Sequence, residues 1–228
     1  MDRGDRGDRC DLLIVAAFAP ELAALRDLTG EAAGNEVGGL RIVAKPVGIG
    51  LVAAATGTTS RVETYRPRAV VLVGTCGAYP SSGLQINDVV VVRKVSLVEP
   101  SVEQGLAAFP EPMSVEIETH AAMRAALSAG GAPSGDVANT LGVTTDDGLA
   151  GQLARSSGAD VEHLEAYAVG SACAAVNVPF AAVLGVANDV GSRGREQWRA
   201  GHVLAGRAVA RLVSHWLHAG AAGVPHRP

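Results

Sequence analysis

The chain has 228 residues, 48% of them apolar, and a formal net charge of −4. That is enough for one α/β domain with a full core, in an ordinary globular composition. So small a negative charge offers no general attraction to nucleic acid or to an anionic membrane, and apolar runs of about ten residues are too short to span a bilayer.

The start, MDRGDRGDR, repeats Asp-Arg-Gly with nothing apolar to bury, and residues 1–10 are expected to form a disordered tail. LLIVAAFA (12–19) has the pattern of a buried strand. PELAALRDL (20–28) opens with proline and has helical spacing. LRIVAKPVG (40–48) predicts a second strand ending at Gly48-Ile49-Gly50, and LVAAATGTTSRVETY (51–65) a helix. AVVLVGTCGAY (69–79) predicts a third strand, broken by Gly74 and Gly77, and INDVVVVRKVSLV (86–98) a long β-branched one. Residues 99–114 hold three prolines and a glycine and suggest a loop or lid. IETHAAMRAALSAG (117–130) predicts a helix and DVANTLGVTT (136–145) a strand. EAYAVGSACAAVNV (165–178) predicts a helix, PFAAVLGVAN (179–188) a buried strand, and REQWRAGHVLAGRAVARLVSHWL (195–217) a terminal helix. HAGAAGVPHRP suggests a second unstructured tail, over 219–228.

Strands apolar on both faces, alternating with helices, predict a largely parallel sheet covered on both sides. Ligands of such sheets sit beyond the carboxyl ends of the strands, so Asn188 would lie where a buried strand opens into a crevice. No repeat or linker divides residues 11–218, which are expected to form a single domain. Cys10, Cys76 and Cys173 are odd in number and widely spaced, without disulfide or zinc patterning, and the histidines form no HExxH pair. No metal site is therefore expected. No apolar signal core follows the start, so the expected location is cytoplasmic.

Three stretches in order carry a resemblance. AAFAPELAAL places Glu21 just after the first strand. VLVGTCGAY is a strand followed by Gly-Thr-Cys-Gly. VEHLEAYAVGSACAAVNVPFAAVLGVAND has Glu165, a helix, Val-Pro-Phe and a strand. Together, over about residues 12–217, they resemble the purine nucleoside phosphorylase and nucleosidase superfamily. They are most similar to its hydrolase branch, methylthioadenosine/S-adenosylhomocysteine nucleosidase and futalosine hydrolase. The terminal Val-Ala-Asn-x-Val-Gly-x-Arg-x-Arg-x-x-Trp pattern favours the futalosine side. The resemblance implies a three-layer α-β-α fold with a mixed, largely parallel central sheet. It also implies a homodimer or higher homo-oligomer in which residues 99–114 can close a neighbour's site.

Breaking an N-glycosidic bond passes through an oxocarbenium-like sugar. It needs a donor to the base, a grip on the ribose and a positioned nucleophile. The resemblance assigns Glu21 to the nucleophilic water; alone, it would be a first-turn glutamate favoured by the helix dipole. Glu165 matches the glutamate of the family's Met-Glu ribose pair, with Leu164 in place of methionine. Alone, it would be a solvated helix-start residue. Thr75, Cys76 and Gly77 follow the third strand, where glycine lets backbone approach a ligand, and they match a loop lining base and sugar. The other reading is a tight turn around a small buried cysteine. Cys76 has no adjacent histidine and is not expected to be a nucleophile. Ile49 belongs with the substrate-binding set, and Gly148 and Leu149 match weakly the positions covering the base. Asp146 and Asp147 suggest helix caps.

An ungapped count from Val178-Pro179-Phe180 puts the family's catalytic acid position on Asn188; a one-residue bulge would bring in Asp189 instead. An asparagine donates to N7 or to a 6-oxo group but delivers no proton, which suits hypoxanthine. Aspartate would restore 6-aminopurine chemistry. Arg193 and Arg195 suggest a grip on an acidic 5′ substituent or a solvated loop, and Trp198 a cover for the crevice or, in the simpler reading, an anchor for the last helix. Leu72 stands where hexameric phosphorylases carry arginine, and the anionic Glu21 would repel phosphate.

The expected function is hydrolysis of a purine nucleoside, futalosine first, releasing hypoxanthine, and it implies no metal or organic cofactor. Methylthioadenosine/S-adenosylhomocysteine hydrolysis is second and phosphorolysis third, with Arg26 or Arg41 as possible phosphate ligands. A non-catalytic nucleoside-binding protein is the reading from another class.

Overall fold

The computed structural model describes residues 9–29 and 35–226. In chain order the elements are β1 (Leu12–Ala16), α1 (Ala23–Thr29), β2 (Asn35–Val37), β3 (Leu40–Pro46), α2 (Leu51–Tyr65), β4 (Ala69–Ala78), β5 (Val89–Leu97), α3 (Pro100–Glu103), β6 (Glu116–Glu118), α4 (Ala121–Ser128), β7 (Ser134–Asn139), α5 (Asp147–Ser157), β8 (Val161–His163), α6 (Ala166–Ala174), β9 (Phe180–Asp189) and α7 (Gly194–His218). No helix among the described residues is long and apolar enough to cross a membrane.

β4 is the spine of a mixed sheet. It pairs in parallel with β1 over residues 69–72 and with β9 over residues 70–78. β8 meets the far end of β4 antiparallel, at Gly77 and Ala78. β1 and β8 therefore share one edge of β4, and residues 73–76 between them have no strand on that edge. β9 continues antiparallel onto β5, β5 lies parallel to β7, and β7 parallel to β8. The pairings thus close a ring, β4–β9–β5–β7–β8, while β1, β3 and β2 extend as an open wing. Burial on both faces is why β4 and β9 are continuous Val/Leu/Ala runs. α2 and α6 cover one face through Ala54, Val62, Val169 and Cys173. α1, α4 and α7 cover the other through Leu25, Met123, Val209, Val213 and Trp216. The three-layer α-β-α architecture expected from the sequence is the one observed.

Several boundaries differ from expectation. β1 stops at Ala16 rather than residue 19, because Phe18 leads the chain away and Pro20 starts a 3-10 turn over Ala19–Leu22. The expected helix 117–130 is split. The Thr119 N–H and hydroxyl both donate to the Arg93 carbonyl, and the hydroxyl also to Val92, so the first residues pair with β5 and the helix begins at Ala121. The expected strand 136–145 ends at Asn139, where Thr140 Oγ1 donates to the Gly142 carbonyl and turns the chain.

The tails are also corrected. Residues 1–8 and 227–228 lie outside the described residues. Cys10 is completely buried, and its N–H donates to the Tyr65 carbonyl. Residues 219–226, expected to be unstructured, fold back: Ala221 and Val224 are buried, and Trp216 Nε1 donates to the Ala222 carbonyl at 3.1 Å. Apolar side chains sparse in sequence still find a place where a neighbouring helix end leaves one.

Two features of β9 matter for the site. Cys76 faces Val186 but Gly77 faces Asn188, so Ala187 is an extra residue. Such a bulge re-aims the side chains that follow it. β9 and α7 also meet backbone to backbone: a Cβ on Gly185 would lie 2.6 Å from the Ala205 carbonyl oxygen, and one on Gly201 2.9 Å from that of Ala187. These glycines set how closely α7 seats on the sheet. Gly185→Ala is expected to push α7 outward and destabilise the fold by about 1–3 kcal/mol, measured by urea denaturation. An unchanged midpoint would show that α7 is not seated there.

Candidate active site

Where β1 leaves the edge of β4, a cavity of about 550 Å³ opens. That is within the size range of small-molecule sites. The exit from β1 supplies Ala17, Phe18 and Glu21, and the end of β4 supplies Thr75, Cys76 and Gly77. β8 and the turn after it supply Glu162, His163, Leu164 and Glu165. Asn188 comes from the end of β9, and Gly194, Arg195 and Trp198 from the start of α7. Ile49, Val143 and Thr145 complete the wall. Carboxyl ends of parallel strands converge on this point, as the sheet topology requires.

Glu21 sits against the unpaired edge of β4. Its Oε1 accepts from the Thr75 N–H at 3.1 Å and from Thr75 Oγ1 at 3.2 Å. The carboxylate thus takes the place of a missing strand. Its Oε2 is buried with no partner among the described residues. A Cβ on Gly74 would lie 3.2 Å from Oε1, so glycine makes room for the carboxylate. Burial pushes the Glu21 pKa from 4.5 to about 7, and the negative charge of Glu165 adds to the rise; the Thr75 N–H and hydroxyl and, more weakly, the nearby Ala17 N–H oppose it.

Glu165 is held differently. Its Oε1 accepts from the Gly50 N–H at 2.7 Å, at the N-terminus of the 15-residue α2. The helix dipole favours a carboxylate there. Gly50 has φ 82°, a conformation that favours glycine. His163 Nδ1 lies 3.4 Å from Glu165 Oε2, but it accepts from the N–H groups of Glu165 (3.0 Å) and Ala166 (3.1 Å). A nitrogen that accepts twice carries no proton, and burial lowers the His163 pKa. The contact is therefore not an ion pair. Asn139 Nδ2 donates to the Leu164 carbonyl at 3.1 Å and locks the turn that carries both residues. Glu162 accepts from Thr144 N at 2.9 Å and Thr144 Oγ1 at 2.5 Å, and burial raises its pKa.

Asn188 is nearly buried. Its Nδ2 donates to the Asp189 carbonyl at 2.7 Å, which leaves its second amide hydrogen and Oδ1. Cβ atoms on Gly77 and Gly194 would lie 2.9 and 3.1 Å from that Nδ2, so both glycines admit the amide. β9 does have a bulge, but it falls at Ala187 and leaves Asn188, not Asp189, in the cavity. Asp189 faces a different cavity with Asp147 and Arg193, and its Oδ2 accepts from Gln197 Nε2 at 2.9 Å.

Glu21, Ile49, Thr75, Cys76, Gly77, Leu164, Glu165 and Asn188 are thus brought together as the sequence suggested. Gly148 and Leu149 are not. They form the first turn of α5, where Leu149 N donates to the capping Asp146 Oδ1 at 2.7 Å and the leucine packs beside Tyr79 and Leu153. Burial pushes the Cys76 thiol far up, which suits packing rather than nucleophilic attack. Arg193 is exposed beside Asp189, 3.6 Å away, while Arg195 lines the main cavity. Trp198, read as an anchor, instead donates to Thr75 Oγ1 at 3.1 Å. Phe18, Glu162 and His163 have no sequence signal for the site beyond adjacency to Glu21 or Glu165, and Thr145 has none at all.

A family model of the phosphorylase superfamily matches residues 12–218. A futalosine hydrolase of Thermus thermophilus is 30% identical over 180 residues, 73% of this chain and 79% of that protein. A 5′-methylthioadenosine/S-adenosylhomocysteine nucleosidase of a Shewanella species is 33% identical over 92 residues, 36% of this chain and 39% of that protein. The native structure of Helicobacter pylori futalosine hydrolase matches with a TM-score of 0.78 at 18% identity, covering 89% of this chain and 95% of that one. The Colwellia psychrerythraea methylthioadenosine/S-adenosylhomocysteine nucleosidase in complex with adenine matches with a TM-score of 0.81 at 21% identity, covering 94% and 97%. At such identities the structures speak for the fold alone.

Between about pH 4.5 and 7 the folded chain keeps on Glu21 a proton that the unfolded chain has lost. Stability therefore falls as pH rises through that window. Glu21→Gln is expected to match the parent near the lower end. Above the upper end it should exceed it, by on the order of 3 kcal/mol in denaturant titrations at several pH values. A pH-independent difference would mean that Glu21 is ordinarily ionised.

Proposed function

The chain belongs to the phosphorylase superfamily and is an N-ribosyl hydrolase within it, and we propose that its substrate is a 6-oxopurine nucleoside, futalosine before others, with hypoxanthine as the released base. One observation carries the reading: a buried carboxyl with a pKa of about 7 and one unpartnered oxygen shares a cavity with a second carboxylate and an amide. A general base works best when its pKa lies near the operating pH. In this reading Glu21 takes a proton from water as the water oxygen bonds to C1′. The electron pair of the C1′–N bond leaves with the base, which takes a proton from solvent. Glu165 accepts from the ribose 2′ and 3′ hydroxyls with the lone pairs that Gly50 does not use. Asn188 donates its second amide hydrogen to the departing purine. Cys76 and Gly77 bring β4 backbone close to the sugar, and Ile49 and Leu164 supply apolar walls. Arg195 is the cation placed to meet an acidic 5′ group.

Water is favoured over phosphate as nucleophile. Leu72 is completely buried, Arg26 points to the Ala44 carbonyl, and neither Arg26 nor Arg41 lines the cavity. A 6-aminopurine substrate is the second reading. It is favoured by the bond from Asn188 Nδ2 to the Asp189 carbonyl, which leaves Oδ1 to accept from an exocyclic amine.

The test is incubation with futalosine, inosine, methylthioadenosine and S-adenosylhomocysteine, with and without phosphate. Hypoxanthine released without phosphate is expected; adenine alone would move the assignment to the second reading, and a phosphate requirement would reject hydrolysis. Glu21→Gln should lower kcat by roughly a thousandfold or more while nucleoside binding persists. Asn188→Asp should raise kcat/KM for methylthioadenosine relative to inosine by at least about tenfold. An unmoved ratio would remove Asn188 from the base site.

A further inference from the structure

The contact between α7 and β4 determines more than packing. Trp198 Nε1 donates to Thr75 Oγ1 at 3.1 Å, and that hydroxyl lies 3.2 Å from Glu21 Oε1. An indole N–H donates and never accepts, and a threonine hydroxyl has one hydrogen. With its oxygen accepting from Trp198, the hydroxyl hydrogen is directed to Glu21. Oε1 then receives two hydrogens, from the Thr75 N–H and from its hydroxyl. A proton placed on Oε1 would face both. The remaining oxygen, Oε2, has no partner among the described residues.

We infer that Trp198 is a positioning residue: acting through the Thr75 hydroxyl, it fixes Oε2 as the oxygen of Glu21 that takes the proton from the attacking water. The inference rests on the nucleosidase reading. The indole is itself held in place. It stacks on His202, with centroids 4.3 Å apart and planes 13° from parallel, and His202 Nδ1 lies 2.9 Å from the Trp198 carbonyl. Phe18 meets its other side at 6.5 Å between centroids. Gly185 and Gly201 seat α7 close enough for the indole to reach Thr75.

Without the indole donor, the Thr75 hydroxyl is free to turn and accept from a protonated Oε1. That favours the protonated form of Glu21. Phenylalanine keeps an aromatic ring beside His202, and the substitution removes none of the other titratable groups around the cavity: Glu162, His163 and Glu165 from β8 and its end, Cys76 from β4, and Arg195 from α7.

The experiment is the pH profile of kcat/KM for the parent, Trp198→Phe, Thr75→Ser, Thr75→Val and the Trp198→Phe/Thr75→Val pair. In Trp198→Phe the acidic limb should move up by about half to one pH unit. Thr75→Ser, whatever its rate, should keep the acidic limb at the parent's pH. In the Thr75→Val background, Trp198→Phe should move the limb no further. A uniform loss of rate with an unmoved limb, or the full shift in the absence of the hydroxyl, would overturn the relay. Difference-infrared titration of the Glu21 carboxyl should give the same order without turnover. If the parent releases no base from any nucleoside, the nucleosidase reading fails, and the infrared titration alone then decides whether Trp198 acts on Glu21. Thermal melts identify any variant that has not folded, and Thr75→Val alone against the parent then carries the infrared comparison.

Discussion

The site depends on a stretch of sheet edge that no strand covers. β1 pairs with β4 only as far as Leu72, and β8 takes up the same edge only at Gly77. The N–H of Thr75, between them, would be an unsatisfied donor next to the core, at a cost of about 1–3 kcal/mol. Glu21 satisfies it with a side chain. The chain can place a carboxylate there because Phe18–Pro20 leads it off the sheet and into a 3-10 turn. A structural need of β4 and a chemical need of the cavity are therefore met by one group. Its first oxygen completes the sheet, and its second makes no hydrogen bond among the described residues.

Three polar residues of the cavity are tuned by different physics. Glu21 is desolvated, and its proton affinity rises toward neutrality. Glu165 is tied to the N-terminus of α2 through Gly50, where an anion is welcome, and its charge adds to the reluctance of Glu21 to ionise. His163 lies between β8 and α6 as a neutral acceptor for two backbone N–H groups, so it caps α6 without contributing a cation. The result is a cavity that gathers two carboxyl groups held in contrasting ways, with Arg195 as the cation on its wall.

Small residues carry much of the precision. Gly74 leaves room for the Glu21 carboxylate, Gly77 and Gly194 for the Asn188 amide, and Gly185 and Gly201 for the crossing of α7. At each of these positions a methyl group would meet a backbone oxygen or a site side chain within 3.2 Å. Glycine here works by absence of bulk, not by unusual backbone angles. The bulge at Ala187 belongs with them, since it decides which residue of Asn188–Asp189 enters the cavity.

Much of this was legible in the chain. Periodicity marked α2 over its full length, β4 and β9 within a residue or two, and α7 nearly to its ends, because each is long and buried along a consistent face or on both. Short edge elements such as β2, β6 and β8 were not legible, because three residues carry no period. α5 was missed although Asp146 was recognised as a cap, since Gly148 and Gly151 dilute its apolar stripe. Glu21, Thr75, Glu165 and Asn188 could be assigned because the resemblance gives a role to each strand end or helix start, where position alone left an ordinary structural reading open. What the sequence by itself determined was the set of strand ends that would supply the chemistry. Only the tertiary structure decided that Asp189, Gly148 and Leu149 turn away, that Trp198 reaches Thr75, and that His163 stays neutral. Those outcomes depend on a bulge, on helix seating and on backbone donors brought together across the fold, and local sequence encodes none of these distances.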